Sequence, residues 1–145
     1  MEQKNLRKAV LSEFVSHFAP DAVWLYEKPC FNEQAGQNQK IQAILQELKL
    51  IAEKSQSLPD VILYSLEKDW LYFFETETIM DSARVTEIEK MTEQLTCGKL
   101  YFTVFPNRLA YQNLCEDIAW GTVVWLADTP EHMIHYDDLS ANAKY

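Results

Sequence analysis

The chain has 145 residues, 48% of them apolar, which is enough for one domain with its own core. Its 13 Lys and Arg against 22 Asp and Glu leave a net charge of -9, a balance that repels a polyanion unless metal ions or a local basic patch intervene. Cys30, Cys97 and Cys115 form no CxxC pair, which argues against a disulfide framework or a zinc knuckle; with no signal-like apolar run and no stretch near the roughly 18 apolar residues of a membrane span, a soluble protein of the reducing cytoplasm is expected.

From Asn5 onward Leu6, Val10, Phe14 and Phe18 recur at helical spacing, and Pro20 predicts a stop just before it. Ala22 to Glu27, AVWLYE, reads as a short strand, and the polar KPCFNEQAGQNQ, with Pro29 and Gly36, as a loop. Ile41, Ile44, Leu45, Leu48 and Ile51 or Ala52 mark a second amphipathic helix. Asp60 to Leu66 and Trp70 to Glu75 are strand candidates around a tight turn at Glu67-Lys68-Asp69, which predicts a hairpin. Asp81 or Ser82 is placed to cap a helix carrying Val85, Ile88, Met91 and Leu95 on one face, with Gly98 as its end. Leu100 to Phe105 predicts another strand, Pro106 to Leu114 a short helix or turn, and Gly121 to Ala127 a very apolar strand covered on both faces. No repeat or linker interrupts this order, which predicts one α/β domain over residues 1–145 with a mixed central sheet flanked by helices.

FFETETIM, Phe73 to Met80, places Glu75 and Glu77 at the tip of a strand that otherwise reads as core. One explanation is a strand end that emerges into solvent; the other is a scaffold holding charge for a metal. Pro59-Asp60 opens the first hairpin strand and Glu75 closes the second, so an antiparallel pair with a short turn brings Asp60 and Glu75 side by side. Two carboxylates and the carbonyl after Glu75 make the hard-oxygen site that Mg²⁺ or Mn²⁺ prefers, with positions left for water and phosphate, and such a site suits phosphodiester cleavage. The pattern is that of the PD-(D/E)XK nucleases, except that Glu77 stands where their E-x-K has lysine.

Four blocks in one order, FAPDAVWLY, LPDVILYSLEKDWLYFFE, TVFPNR and IAWGTVVWLADTPEHMIHY, closely resemble the C-terminal catalytic domain of the BsuBI/PstI family of type II restriction endonucleases, over nearly the whole chain. The resemblance implies a restriction-endonuclease-like fold, Mg²⁺-dependent cleavage of double-stranded DNA and, from the two-fold symmetry of a palindromic site, action as a homodimer. By position it makes Asp60 and Glu75 the acidic pair, Glu87 in RVTEIEKM a further acid for the metal, and Arg84 the basic residue opening that helix, a DNA contact. The chain departs from the family in reading Ser82-Ala83-Arg84 where Pro-Lys-Arg is usual, in a shorter loop after the second hairpin strand, and in Gly121 and Val123 where acids are usual. The winged-helix region that precedes the domain in longer members is expected to be absent.

With no lysine in E-x-K, Lys90 and Lys68 are the candidate substitutes, Lys90 favoured because it follows Arg84 by close to two helical turns; the simpler reading makes both solvated. Arg108 in FPNR follows a strand end and is a second candidate DNA contact. His132 and His135 have a spacing that chelates metal from a helix, with Asp137 and Asp138 beside them as oxygen donors, or are structural. Trp24, Trp70, Trp120 and Trp125 alternate with phenylalanines through the strands and read as core. The leading expectation is a DNA endonuclease. The alternative is an inactive relative whose acidic face mimics DNA and inhibits a nucleic-acid enzyme of a defence system, such as one acting against phage; a degenerate fragment with no task of its own is a third reading.

Overall fold

The computed structural model describes residues 3–54 and 57–136. Among these a 7-stranded sheet is built from β1 (Val23–Glu27), β2 (Cys30–Phe31), β3 (Val61–Ser65), β4 (Trp70–Glu75), β5 (Gly98–Phe105), β6 (Val123–Leu126) and β7 (Met133–His135), in the spatial order β2-β1-β3-β4-β5-β6-β7. β4 with β5 and β5 with β6 run parallel. The other neighbours are antiparallel. Each parallel step is connected through a helix, α4 (Ser82–Met91) or α5 (Arg108–Leu114), because a parallel pair needs a crossover long enough to return the chain to the end of the sheet where it started.

Alternation along the strands divides the core between the two faces. Val61, Leu63, Tyr72, Phe74, Phe102 and Trp125 point to one face, covered by α1 (Gln3–Ala9), a π-helical turn (Val10–Phe14) and α2 (Val15–Phe18), which together make the N-terminal helix expected to stop before Pro20. Phe14 is its anchor, with ring centroids 4.9 Å from Phe74, 5.1 Å from Phe102 and 5.7 Å from Trp125, all edge-on. Ile62, Tyr64, Leu71, Phe73 and Tyr101 point to the other face, under α3 (Gln39–Glu53) and α4. With helices on both faces the β3 and β4 sequences lose polar alternation and read as apolar runs.

α3 starts where the chain supplies a cap: Asn38 accepts from the Lys40 and Ile41 backbone N–H groups at 2.8 and 3.3 Å. Its buried stripe is Ile41, Ile44, Leu45, Leu48 and Ile51. Asn38→Ala is expected to lower stability by about 1 kcal/mol, read as a small drop in the urea midpoint at unchanged slope.

Several local expectations give way to tertiary packing. α4 ends at Met91 short of Leu95, with the Thr92 hydroxyl donating back to the Ile88 carbonyl at 2.7 Å, and Gly98 opens β5 where a helix end was expected. Glycine suits that position because a Cβ there would lie 2.6 Å from Trp70 Cδ1. Trp125 is fully buried, but Trp120 is 77% exposed in the turn before β6, and so does not belong to the core. β2 and β7, of two and three residues, are too short for a periodicity to mark them and exist through their neighbours. His132 and His135 therefore lie on a turn and a strand, both exposed, where a helical chelate was considered; Asp137 and Asp138 lie outside the described residues. Among the described residues no helix is long and apolar enough to cross a membrane.

Candidate active site

Asp60 immediately precedes β3 and Glu75 ends β4. Because Val61 pairs with Phe74, the hairpin register carries Asp60 to the place facing Glu75. Each residue is 3% exposed. The turn after β4 folds around the Asp60 carboxylate: Oδ2 accepts from the Thr76 backbone N–H at 2.7 Å, the Thr76 hydroxyl at 3.0 Å and the Glu77 N–H at 3.0 Å. Oδ1 is left free of these donors. Three donors on one oxygen hold the charge in place and fix the direction of the second oxygen.

Glu75 Oε2 accepts from Arg84 Nε at 2.6 Å and Oε1 from the Thr78 hydroxyl at 3.3 Å. Burial nevertheless pushes its carboxyl up to about 7; Arg84 pulls it down and Asp60 pushes it up. Desolvation thus outweighs the guanidinium, and the carboxyl keeps its proton well above the ordinary carboxylate range.

Arg84 stands at the start of α4, where Asp81 caps the helix by accepting from the Arg84 backbone N–H at 2.8 Å. Its side chain is 13% exposed and bonds through all three nitrogens: Nε to the buried Glu75, Nη1 to Glu87 at 2.6 Å and Nη2 to the Ser57 carbonyl at 2.9 Å. A phosphate contact was expected of it; here three of its five N–H donors are engaged within the fold. Glu87, expected as a further metal ligand, is 59% exposed and holds Arg84. An open depression of about 420 Å³, lined by Thr78, Ile79, Asp81, Ala83, Arg84 and Glu87, lies beside this cluster.

A lysine does reach the pair, from a strand that sequence reasoning did not bring there. Glu27 pairs with Val61, and the ladder continues one step as the Lys28 N–H donates to the Asp60 carbonyl at 2.8 Å. Lys28 Nζ then lies 3.9 Å from Asp60 Oδ1 and 3.1 Å from Glu77 Oε2. The hydrogen bond to Glu77, with Asp60 adding to it, raises the Lys28 ammonium above its ordinary value. Arg7 of the N-terminal helix adds a second cation, 3.5 Å from Glu77 Oε1 and 3.9 Å from Glu27. Sequence periodicity carried no signal for these contacts, because they depend on β1 lying beside β3.

The other candidates lie apart. Lys90 is exposed on α4, where the buried residues are Ile88 and Met91, and reaches neither carboxylate. Lys68 sits in the hairpin turn at the far end of both strands, its Nζ 5.1 Å from the centre of the Trp70 ring. Arg108 is exposed at the start of α5, which follows the end of β5.

Among the described residues no three His, Cys, Asp or Glu side chains converge as a metal cluster; a cation held by Asp60 and Glu75 would need water and substrate oxygens to complete its shell. The donor chemistry fits a hard divalent ion. Asp60 offers an oxygen, Oδ1, whose direction is fixed by the donors on Oδ2, and Glu75 offers a second carboxylate buried beside it. The carboxylates do not line an exposed acidic face of the kind a DNA mimic presents.

A domain model described as the BsuBI/PstI restriction endonuclease domain matches residues 2–139. The type II restriction enzyme BsuBI of Bacillus subtilis is 32% identical over 139 residues, which are 94% of this chain and 43% of that enzyme. The structure of the SdaI restriction endonuclease superposes with a TM-score of 0.74 at 24% identity, over 100% of this chain and 46% of the SdaI chain. The chain thus spans less than half the length of either relative. A mixed sheet that holds an acidic pair at the open end of its central hairpin agrees with that match along nearly the full chain, and the protein belongs to the BsuBI/PstI restriction endonuclease domain family.

Proposed function

We propose that this domain cleaves double-stranded DNA by hydrolysis, using a divalent metal, Mg²⁺ or Mn²⁺, held between Asp60 and Glu75. The observation that carries the reading is the buried pair itself. A strand tip with no task beyond structure has no reason to keep two carboxylates at 3% exposure, and their burial is opposed by desolvation that raises Glu75 to about 7.

Asp60, locked by Thr76 and Glu77, and Glu75, steadied by Arg84 and Thr78, form two ligands whose directions are set before any ion arrives. When bound, the ion would supply charge to polarise the phosphodiester and to favour loss of a proton from water. In the overall reaction a water oxygen bonds to phosphorus, one P–O ester bond breaks, the water's proton leaves to solvent and the departing alkoxide takes one up. Arg108, exposed, remains available to a backbone phosphate. Cutting both strands calls for two such centres, so the domain is proposed to work as a homodimer, alone or with further chain.

The test is the conversion of supercoiled plasmid to nicked and linear forms. Purified protein should cut with Mg²⁺ or Mn²⁺, stop in EDTA, and lose at least about 10²-fold in rate on Glu75→Gln, which removes one ligand charge while preserving shape. Cleavage unaffected by chelation would dismiss the proposal.

A further inference from the structure

The strand that carries Glu75 places an acid, Glu77, two residues on, where an E-x-K arrangement has its amine. Glu77 is paired: Lys28 Nζ lies 3.1 Å from Oε2, and Arg7 Nη1 lies 3.5 Å from Oε1. The same Lys28 nitrogen is 3.9 Å from Asp60 Oδ1, the oxygen that the Thr76 and Glu77 donors leave free. Its backbone is registered to Asp60 by the 2.8 Å bond from Lys28 N–H to the Asp60 carbonyl, so the amine's root is fixed by the sheet. The side chain is 45% exposed and opens on the solvent side of the pair.

Charge has thus been exchanged between the ends of β4 and β1, the two strands that flank β3. The β4 end carries the acid and the β1 end carries the amine, and the sheet order delivers both to the carboxylate pair. A surface ion pair for stability alone needs only Lys28 and Glu77. It does not need Asp60 Oδ1 within reach of the same nitrogen, nor Arg7 as a second partner that holds Glu77 without Lys28.

We infer that Lys28, delivered from the end of β1, is a catalytic residue of this site: its ammonium holds the attacking water and the scissile phosphate beside Asp60, the task that the E-x-K lysine would otherwise perform. The inference rests on the nuclease reading above. Lys28 acts as a fixed positive charge and hydrogen-bond donor, and no proton is lost from it in the cycle.

The test compares the full chain with Lys28→Met, Lys28→Arg, Glu77→Lys and the double variant Lys28→Met/Glu77→Lys. Plasmid cleavage, Mn²⁺ affinity by calorimetry and thermal unfolding are measured on each. Methionine keeps most of the aliphatic stem, and Arg7 still neutralises Glu77, so the fold should hold. Lys28→Met should slow cleavage about 10²–10³-fold, as when a single positioned transition-state donor is removed. Mn²⁺ should bind the same variant several-fold more tightly, because a positive charge beside Asp60 has gone. Glu77→Lys in that background should restore at least about tenfold of the rate and loosen Mn²⁺ again, the amine having returned from the β4 side. Lys28→Arg should recover only part of the rate, since a planar guanidinium replaces a compact ammonium.

Cleavage by Lys28→Met within about threefold of the parent overturns the inference and leaves the metal-dependent reading standing. A lost rate that Lys28→Arg restores in full, or that Glu77→Lys does not restore, assigns Lys28 a structural role and overturns it too. A parent protein that cuts with neither Mg²⁺ nor Mn²⁺ removes the nuclease reading, and the inference with it.

Discussion

Asp60→Asn is expected to keep the fold and abolish cleavage, with a loss of about 10³-fold or more. Asparagine has the shape of aspartate and can turn its carbonyl oxygen toward the Thr76 N–H, the Thr76 hydroxyl and the Glu77 N–H, the three donors that Oδ2 now serves. The second position then becomes an NH₂ group, which cannot ligate a cation and which faces the Lys28 ammonium. Stability should therefore change by only about 1 kcal/mol, while the metal loses a charged ligand. Asp60→Ala separates the two roles. It also abolishes cleavage, but leaves the three donors without their acceptor, two of them belonging to Thr76, which is 6% exposed, and should cost about 3 kcal/mol. Calorimetric Mn²⁺ titration, plasmid cleavage and urea unfolding on the two variants decide the matter; an Asp60→Asn protein that cuts at the parent rate would end the assignment of Asp60 as a ligand.

Arg84→Ala should produce the largest stability loss, and one that depends on pH. Arg84 is the cation in contact with Glu75, and it also ties Glu87 and the Ser57 carbonyl to the start of α4. Removing one partner of a buried pair leaves the other charge uncompensated, a cost of about 3 kcal/mol, equivalent to roughly 10 °C in Tm for a chain of this size.

Glu75 escapes part of that cost by keeping its proton. Its folded value, raised to about 7 from the ordinary 4.5, means that the native state holds a proton between those limits which the unfolded chain has released. Stability contributed by Glu75 is thus full below the unfolded value and falls as pH rises through about 7. Without Arg84 the carboxyl shifts further upward, so the gap between parent and Arg84→Ala should be small near pH 5 and widest near pH 8. Thermal unfolding at the two pH values reads it directly. Mn²⁺ should recover part of the loss at pH 8, because a divalent ion replaces the missing positive charge beside Glu75. A gap of equal size at both pH values would mean that Glu75 is not the group Arg84 neutralises.

The family resemblance and the acidic pair were both legible in the sequence, the pair because it depends on local geometry. A short turn between two apolar runs, expected over residues 67–69 and found over the four residues 66–69, forces an antiparallel hairpin, and a hairpin places the start of one strand beside the end of the next, which is why Asp60 faces Glu75. Arg84 was legible only as a basic residue near a helix start. Which way it points depends on how α4 turns to bury Ile88 and Met91 against the sheet, and that rotation sends the guanidinium to Glu75. Lys90 shares the helix but not the face, and six residues are short of two full turns at 3.6 residues per turn.

Lys28 and Arg7 could not be found from spacing. They lie 32 and 53 positions before Asp60, and nothing in either segment states that β1 will pair with β3 or that the N-terminal helix will cross the sheet above its end. Trp120 has the same limit: an aromatic between apolar neighbours resembles core until the turn at Gly121, with φ of +83°, leaves it outside.

Local sequence is enough for the elements with a clear period, the hairpin and the acids at its tip, since each depends on neighbours within one supersecondary unit. Tertiary structure decided which cations meet those acids and which partners of Glu75 and Asp60 are already engaged. Strand order and helix rotation are chosen by burial of the whole apolar surface at once, and the charged side chains are carried to wherever that burial leaves them.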